Sequence, residues 1–423
     1  MHILLLTPGD GGPQGGVCRR DHTLARALRR LGHTTRIVPL HLPPAGGALE
    51  TYAPLFFGAN SSRLRRASAF FRHTPRLLDA AIDHPWLLRL AGALPGAAAS
   101  PDPLDMLRGA EGPHAREFRR FAAWLARQLQ PDAILLSGCL LAGFAPVIRR
   151  AVKTRVFCTV QGELATVRDL APETAAQVWK AVSAAAPEVD GWIAVSEACR
   201  AGFLENTRVP ADRVFRVWSG IDMDAFEPAP APPETPVLGF LGRLCAAKGL
   251  GKVVAAFTEL KRDLFFREVR LRLIGAATPA DRPYIAGLRK QLQAAGLDAE
   301  VEWHPNVDDD SKAFLLRGCT LLSVPPGQPE AFGLFIPEAL ASGVPLVLPR
   351  CGSFPELVAA TGGGILYEPD DVPGLTAAWR EVLAHPEVLA EAARRGREAA
   401  PRLFRADRMA REIAALLYAA SAR

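Results

Sequence analysis

The sequence predicts an α/β protein with two domains, each a parallel sheet buried between layers of helix. Three observations lead there. Short Val-, Ile- and Leu-rich runs recur along the 423 residues with helical patterning between them, and a run that is apolar on both faces suits a strand covered on both sides. Glycine-rich turns follow several of these runs, where a strand gives way to a helix. A proline-rich break falls near the middle, in a chain too long for one core at about 150 residues per domain.

The first domain is expected over residues 1–226, with strands at His2–Thr7, Thr35–Leu40, Ala133–Ser137, Arg155–Val160, Trp192–Ser196 and Val214–Trp218. The opening run meets Pro8 and then glycines. Without a basic leader or a cleavage site it reads as a strand and not as a signal peptide. After the glycine loop Gly9–Gly16, Leu24, Leu28 and Leu31 fall at i, i+4 and i+7. That spacing marks a helix with one apolar face, and Gly32 stops it. An insertion is expected over 45–130. Within it, residues 62–76 set Arg63, Arg65, Arg66, Arg72 and Arg76 around Leu64, Phe70 and Phe71. This pattern suits a solvated helix face or a peripheral contact with an anionic membrane.

Glu227–Pro236 carries five prolines in ten residues. Proline lacks the amide donor and fixes φ, so neither strand nor helix crosses the stretch, and 227–236 is expected to be a semi-rigid hinge. The second domain, over 237–402, repeats the alternation with strands at Val237–Gly242, Leu271–Gly275, Val301–His304, Leu321–Val324 and Pro345–Leu348. In 403–423, Met409, Ile413, Leu416 and Leu417 stand at helical spacing. A terminal amphipathic helix must dock on another surface, and it is expected to return to the first domain.

Composition narrows the function. Apolar residues at 49% and charged residues at 22% describe a folded globular chain and exclude disorder. A net charge of +6 suits a phosphate-bearing ligand but falls short of a nucleic-acid partner. The seven cysteines are scattered without a C-x-x-C pair, so neither a zinc ribbon nor a dithiol centre is indicated, and no metal site is expected. Free thiols fit a reducing cytosol, and a cytoplasmic location is expected, peripheral on the inner membrane face if 62–76 meets lipid. No uncharged apolar run of about 18 residues occurs, so no membrane span is expected.

Three stretches carry chemistry. The loop Gly9, Gly11, Gly12, Gly15, Gly16 joins a strand to a helix, where glycine allows close backbone approach and the helix offers N–H groups to an anion. It does not fit the dinucleotide fingerprint: counted from Gly9 and Gly11 the third glycine position is Gln14, and the second strand ends Pro39-Leu40-His41 with no acidic residue for a ribose. Gly242-Arg243 through Lys248-Gly249 follows the first strand of the second domain. It lacks the Walker pattern, but two cations stand beside a strand end, where a guanidinium gives bidentate contact to phosphate and an ammonium a point charge. The third stretch, Pro329 to Leu340, holds Glu330 and Glu338 around a helix start that Pro337 places near Leu334. A diphosphate would repel two carboxylates unless they grip neutral hydroxyls, which points to a sugar and a ribose.

Taken together these residues resemble the metal-independent retaining glycosyltransferases of the GT-B fold, of the family 4 type, a family that includes sucrose-phosphate synthase and many bacterial hexosyltransferases. Four motifs carry the resemblance in the expected order: Gln14-Gly15-Gly16-Val17, Gly242-Arg243 with Lys248-Gly249, the pair Glu330/Glu338, and Gly352-Ser353-Phe354-Pro355-Glu356. Trp218-Ser219-Gly220-Ile221-Asp222 is similar to the stretch that precedes the interdomain linker in that family.

The resemblance implies two facing Rossmann-like domains and a hexosyltransferase that moves a sugar from a nucleotide diphosphate sugar, a UDP-sugar first among them, to an unidentified acceptor without a cofactor. It implies that Arg243 and Lys248 neutralise the diphosphate and that Glu330 holds sugar hydroxyls. It assigns the Phe332, Gly333 and Leu334 backbone to sugar and phosphate, Glu338 to the ribose diol, Asn306-Val307 to the base, and Gly15 and Gly16 to close approach by the first-domain loop. In one place the chain departs from the family. Where members carry His-Gly after a first-domain strand, this chain has Gln161-Gly162, then Glu163. Glutamine keeps hydrogen-bonding capacity but cannot become a cation. The alternative that follows from this is a sugar-nucleotide-binding protein of the same fold with weak catalysis.

Overall fold

The computed structural model describes residues 1–8, 16–40, 102–127, 130–368 and 371–419; Gly15, the basic segment 62–76 and most of the expected insertion lie outside them. The chain divides into two units, one of residues 1–217 with the chain from Ala410 onward, the other Trp218–Met409. The proline-rich stretch 227–236 lies within the second.

The first unit carries β1 (His2–Thr7), β2 (Thr34–Pro39), β3 (Ala133–Leu136), β4 (Arg155–Val160), β5 (Gly191–Ala194) and β6 (Val214–Arg216). They form one parallel sheet in the order β2-β1-β3-β4-β5-β6. Register follows the apolar runs: Leu5 of β1 lies opposite Ile37 on one side and Leu135 on the other. All four residues of β3 are fully buried, which is why the run has no polar alternation. The helix Gly16–Arg30 buries Leu24 and Leu28 against this sheet and ends before Gly32, whose φ of 83° a side chain would resist. Each fully buried leucine here contributes about 1.5–3 kcal/mol relative to exposure.

The second unit carries β7 (Val237–Leu241), β8 (Arg270–Gly275), β9 (Val301–Pro305), β10 (Leu321–Leu322), β11 (Leu346–Pro349) and β12 (Gly364–Tyr367). Its parallel sheet runs β12-β11-β10-β7-β8-β9. Counted from β7, that is the Rossmann order 3-2-1-4-5-6. The sequence reading stops at β11 and omits β12. This strand is at the sheet edge, where Gly364, Ile365 and Leu366 are only half-buried, and two glycines, Gly362 and Gly363, lead into it. It therefore lacks the doubly apolar signature of the inner strands.

The terminal helix Ala406–Ala419 buries Met409, Ile413 and Leu417 completely. Beyond Ala410 it belongs to the first unit, as expected. There the Arg155 guanidinium donates to the Leu417 carbonyl and Tyr418 faces the His33 ring. Among the described residues no helix is long and apolar enough to cross a membrane.

Candidate functional site

In the second unit β7 and β10 are neighbours, but the chain leaves them in opposite directions, toward β8 and toward β11. The carboxyl ends of such strands open a crevice that open α/β sheets use for ligands. The residues following β7 and β10 include both cations and the first carboxylate expected from the sequence.

Gly249 joins the two strand-end loops. Its φ is 78°, and a Cβ there would lie 1.7 Å from the Pro325 carbonyl oxygen, so only glycine fits. The Gly327 N–H donates to the Ala247 carbonyl at 2.9 Å. This contact brings Lys248 Nζ to 2.5 Å from Glu330 Oε2, a half-buried ion pair between the two loops. The backbone carrying Glu330 is braced from below. The Ser353 N–H donates to the Glu330 carbonyl and the Ser353 hydroxyl to the Phe332 carbonyl, both at 3.0 Å. Gly352, at φ 54°, passes so close that a Cβ would meet the Glu330 oxygen at 2.4 Å. The Gly352-Ser353 motif thus shapes the loop that presents Glu330.

Arg243 turns to a different partner. Its Nε and Nη2 donate to the two oxygens of Asp281, each at 3.1 Å, and Nη2 also reaches Thr278 Oγ1 at 3.3 Å. The bond to Asp281 raises the guanidinium pKa above its ordinary value. Burial would push the Asp281 carboxyl up, but hydrogen bonds from Thr278 and Arg243 outweigh it and hold the group below the usual carboxylate range. Asp281 is nearly buried while Arg243 is half-exposed, so the carboxylate aims a cation that solvent can reach.

Downstream, Phe332 is buried with its ring edge against Phe404, Gly333 is buried at φ 80°, and Leu334 caps the seven-residue helix Phe335–Ala341. The helix begins where Pro337 predicts. The first amides of any helix lack intrahelical acceptors, and here the Ile336 N–H donates to the Gly333 carbonyl, outside the helix, at 2.9 Å. Glu338 is buried at 4% exposure, and its Oε1 lies 3.0 Å from Lys312 Nζ. Asn306, just past β9, is the one non-glycine residue with positive φ among the described residues, at 57°. Its side chain accepts the Ala277 N–H at 2.9 Å and donates to the Ala277 carbonyl at 3.0 Å, joining the loops after β8 and β9. Val307 follows, half-buried.

In the first unit Gln161 directly follows β4 and is 6% exposed. Glu163 Oε2 accepts its N–H at 2.6 Å, and Glu163 Oε1 accepts the Cys139 N–H at 3.0 Å, so one carboxylate ties the loops after β3 and β4. Burial pushes the Glu163 carboxyl up against those bonds. The Thr159 hydroxyl donates to the Leu136 carbonyl at 3.3 Å and so receives Gln161 Nε2–H at 3.0 Å. That donor chain orients the amide: its nitrogen faces Thr159, and its oxygen is the end Gln161 presents. Nearby, Arg20 and Asp21 are fully buried with 3.5 Å between Nη1 and Oδ1. Burial lowers the Arg20 pKa and pushes Asp21 up to about 6 against the pull of Arg20.

The structure therefore brings Lys248 and Glu330 together and gives Arg243 and Glu338 partners of their own. Gly16 is the exposed first residue of its helix. Sequence reasoning missed Asp281, Thr278, Lys312 and Thr159. A signal existed for the first two, because Thr278-Pro-Ala-Asp281 is a capping box. Lys312 follows an acidic run, Asp308-Asp309-Asp310, and reads as a solvated cation.

Two Rossmann-like sheets and these strand-end loops place the chain in the GT-B class. It superimposes on sucrose-phosphate synthase from Thermosynechococcus elongatus with a TM-score of 0.72 at 20% identity, over 100% of this chain and 99% of that one. It superimposes on Anabaena HepE, solved in complex with UDP and glucose, with a TM-score of 0.69 at 18% identity, over 98% and 99%. These likenesses establish the fold. Residues 223–399 match the family described as glycosyl transferases group 1, as the order of the motifs led us to expect. A curated relative, the MMP alpha-(1->4)-mannosyltransferase of Mycolicibacterium hassiacum, is 27% identical over 248 residues, 58% of this chain and 57% of that protein. The D-inositol 3-phosphate glycosyltransferase of Xylanimonas cellulosilytica is 31% identical over 205 residues, 45% of this chain and 46% of that protein. The matches span about half the length of these curated relatives.

Proposed function

We propose that this chain is a retaining glycosyltransferase that needs no metal and moves a sugar from a nucleotide diphosphate sugar, with a uridine diphosphate as carrier, to an acceptor hydroxyl. The observation that carries the reading is the pairing of Lys248 with Glu330 across the β7/β10 crevice, with Arg243 on the same loop. Cation and carboxylate in contact there suit a ligand that is anionic at one end and rich in hydroxyls at the other. HepE, of the same fold, holds UDP and glucose.

In this reading Arg243 and Lys248 bind the diphosphate and stabilise the charge that grows on it as the glycosidic bond breaks, in a crevice where such charge is poorly solvated. Glu330 accepts hydrogen bonds from sugar hydroxyls, and the Phe332–Leu334 backbone contacts sugar and phosphate. Glu338 holds the ribose diol and the Asn306-Val307 backbone reads the base. Gln161 offers its amide oxygen to a hydroxyl. The acceptor oxygen forms its bond to the anomeric carbon on the face the diphosphate leaves. Its proton passes to the leaving phosphate oxygen, so no side chain acts as general base.

A thermal-shift panel of uridine, guanosine and adenosine diphosphates with their sugar conjugates tests the reading, because a ligand that binds only the folded state raises the midpoint. Uridine compounds are expected to raise it, with release of UDP from the conjugate over time. A midpoint that no diphosphate moves would overturn the proposal, and binding without UDP release would leave a binding protein.

A further inference from the structure

We propose that Lys312 positions Glu338 and thereby sets the preference of this site for a ribose over a deoxyribose diphosphate. The inference rests on the reading of Glu338 as the ribose residue. Lysine is almost never buried unless paired, yet Lys312 is 5% exposed. Its helix, Asp309–Arg317, begins two residues after Val307 and is capped by Asp308, which accepts the Ser311 N–H at 2.7 Å. From this helix Lys312 Nζ reaches Glu338 Oε1 at 3.0 Å and Asp309 Oδ1 at 3.0 Å, and it stands 5.2 Å from the centre of the Phe226 ring. One ammonium thus ties the element beside the base segment to the element carrying Glu338.

The physical consequence follows from burial. Glu338 is 4% exposed, and removing the cation that faces a carboxylate that deep leaves a buried charge uncompensated. With Lys312 in place Oε1 of the carboxylate is fixed at 3.0 Å from the ammonium, and two vicinal hydroxyls can share a carboxylate acceptor so placed. Without that ammonium Glu338 loses the contact that fixes Oε1, and the ribose contact is lost while the phosphate and base contacts persist. A merely structural lysine would instead weaken every nucleotide alike.

The experiment compares UDP with 2′,3′-dideoxyuridine diphosphate by calorimetry on the full chain. A hydrogen bond to a charged acceptor carries about 10- to 150-fold in affinity. The wild type is therefore expected to favour UDP by ~10-fold or more, and Glu338→Ala to abolish that preference. Lys312→Met is expected to bring UDP to within ~3-fold of the dideoxy compound while affinity for the latter stays unchanged. Lys312→Gln carries the same comparison if the methionine variant does not fold. A lysine variant that keeps the wild-type preference, or that weakens both ligands equally, would overturn the inference while leaving the donor reading intact. A wild type that binds both ligands equally would overturn the ribose role of Glu338 and this inference with it. A wild type that binds neither would overturn the donor reading as well.

Discussion

Arg243→Ala separates ligand binding from folding. In the ligand-free protein the guanidinium is half-exposed, so its pair with Asp281 is worth about 1 kcal/mol or less. Asp281 also keeps other partners after truncation, since its Oδ2 accepts the Thr278 N–H at 2.8 Å and the Thr278 hydroxyl at 2.6 Å. Ligand-free stability should therefore hardly change. Bound to a diphosphate, the same guanidinium makes charge-assisted hydrogen bonds worth about 1.5–3 kcal/mol, or ~10- to 150-fold in Kd. Calorimetry with UDP should show that loss directly. Thermal unfolding supplies the second reading: at a UDP concentration 100 times the wild-type Kd the wild type gains about 2.7 kcal/mol. A variant binding 100-fold more weakly gains only about 0.4 kcal/mol at that concentration. An unchanged Kd would refute the assignment, and a large fall in ligand-free stability would show that Arg243 serves the fold instead.

Three further outcomes follow from the first unit. Arg20→Leu should destabilise the chain by about 3–5 kcal/mol in chemical denaturation, because it leaves Asp21 buried beside no cation, and Arg20→Leu with Asp21→Leu should recover most of that; equal losses in both would count against the pair. Asp21, pushed up to about 6 from 3.8 in the folded chain, binds its proton more tightly folded than unfolded. Its contribution, on the order of 3 kcal/mol, is present below about pH 4 and lost as pH rises through about 6. The denaturant midpoint should fall over that window, and a slope of the same size in Asp21→Asn would refute the cause. Thr159→Val removes the acceptor that orients the Gln161 amide, so kcat/KM with the donor should fall by ~10-fold, with no additional loss when combined with Gln161→Ala; additive losses would show that Thr159 acts independently.

The inner strands were legible because burial on both faces leaves a local mark, a run without polar alternation, and β3 and β7 are such runs. β12 was not, because an edge strand is half-solvated and its composition resembles a turn. The expected site residues were legible as types: cations after one strand, carboxylates around a helix that Pro337 starts. Their partners were not. Lys248 and Glu330 are 82 residues apart in the chain, and nothing local to either says that they meet.

By itself, then, the sequence determined two α/β units, the order of their motifs and the helix starts, since strand burial, proline geometry and glycine turns act over a few residues. Tertiary structure alone decided that Arg243 is aimed by Asp281, that Thr159 orients the Gln161 amide, and that a lysine in an acidic run is buried against Glu338. These are contacts across loops and between helices. Their strength depends on which groups are taken out of water together, and that is settled only when the sheet sets its strand ends side by side.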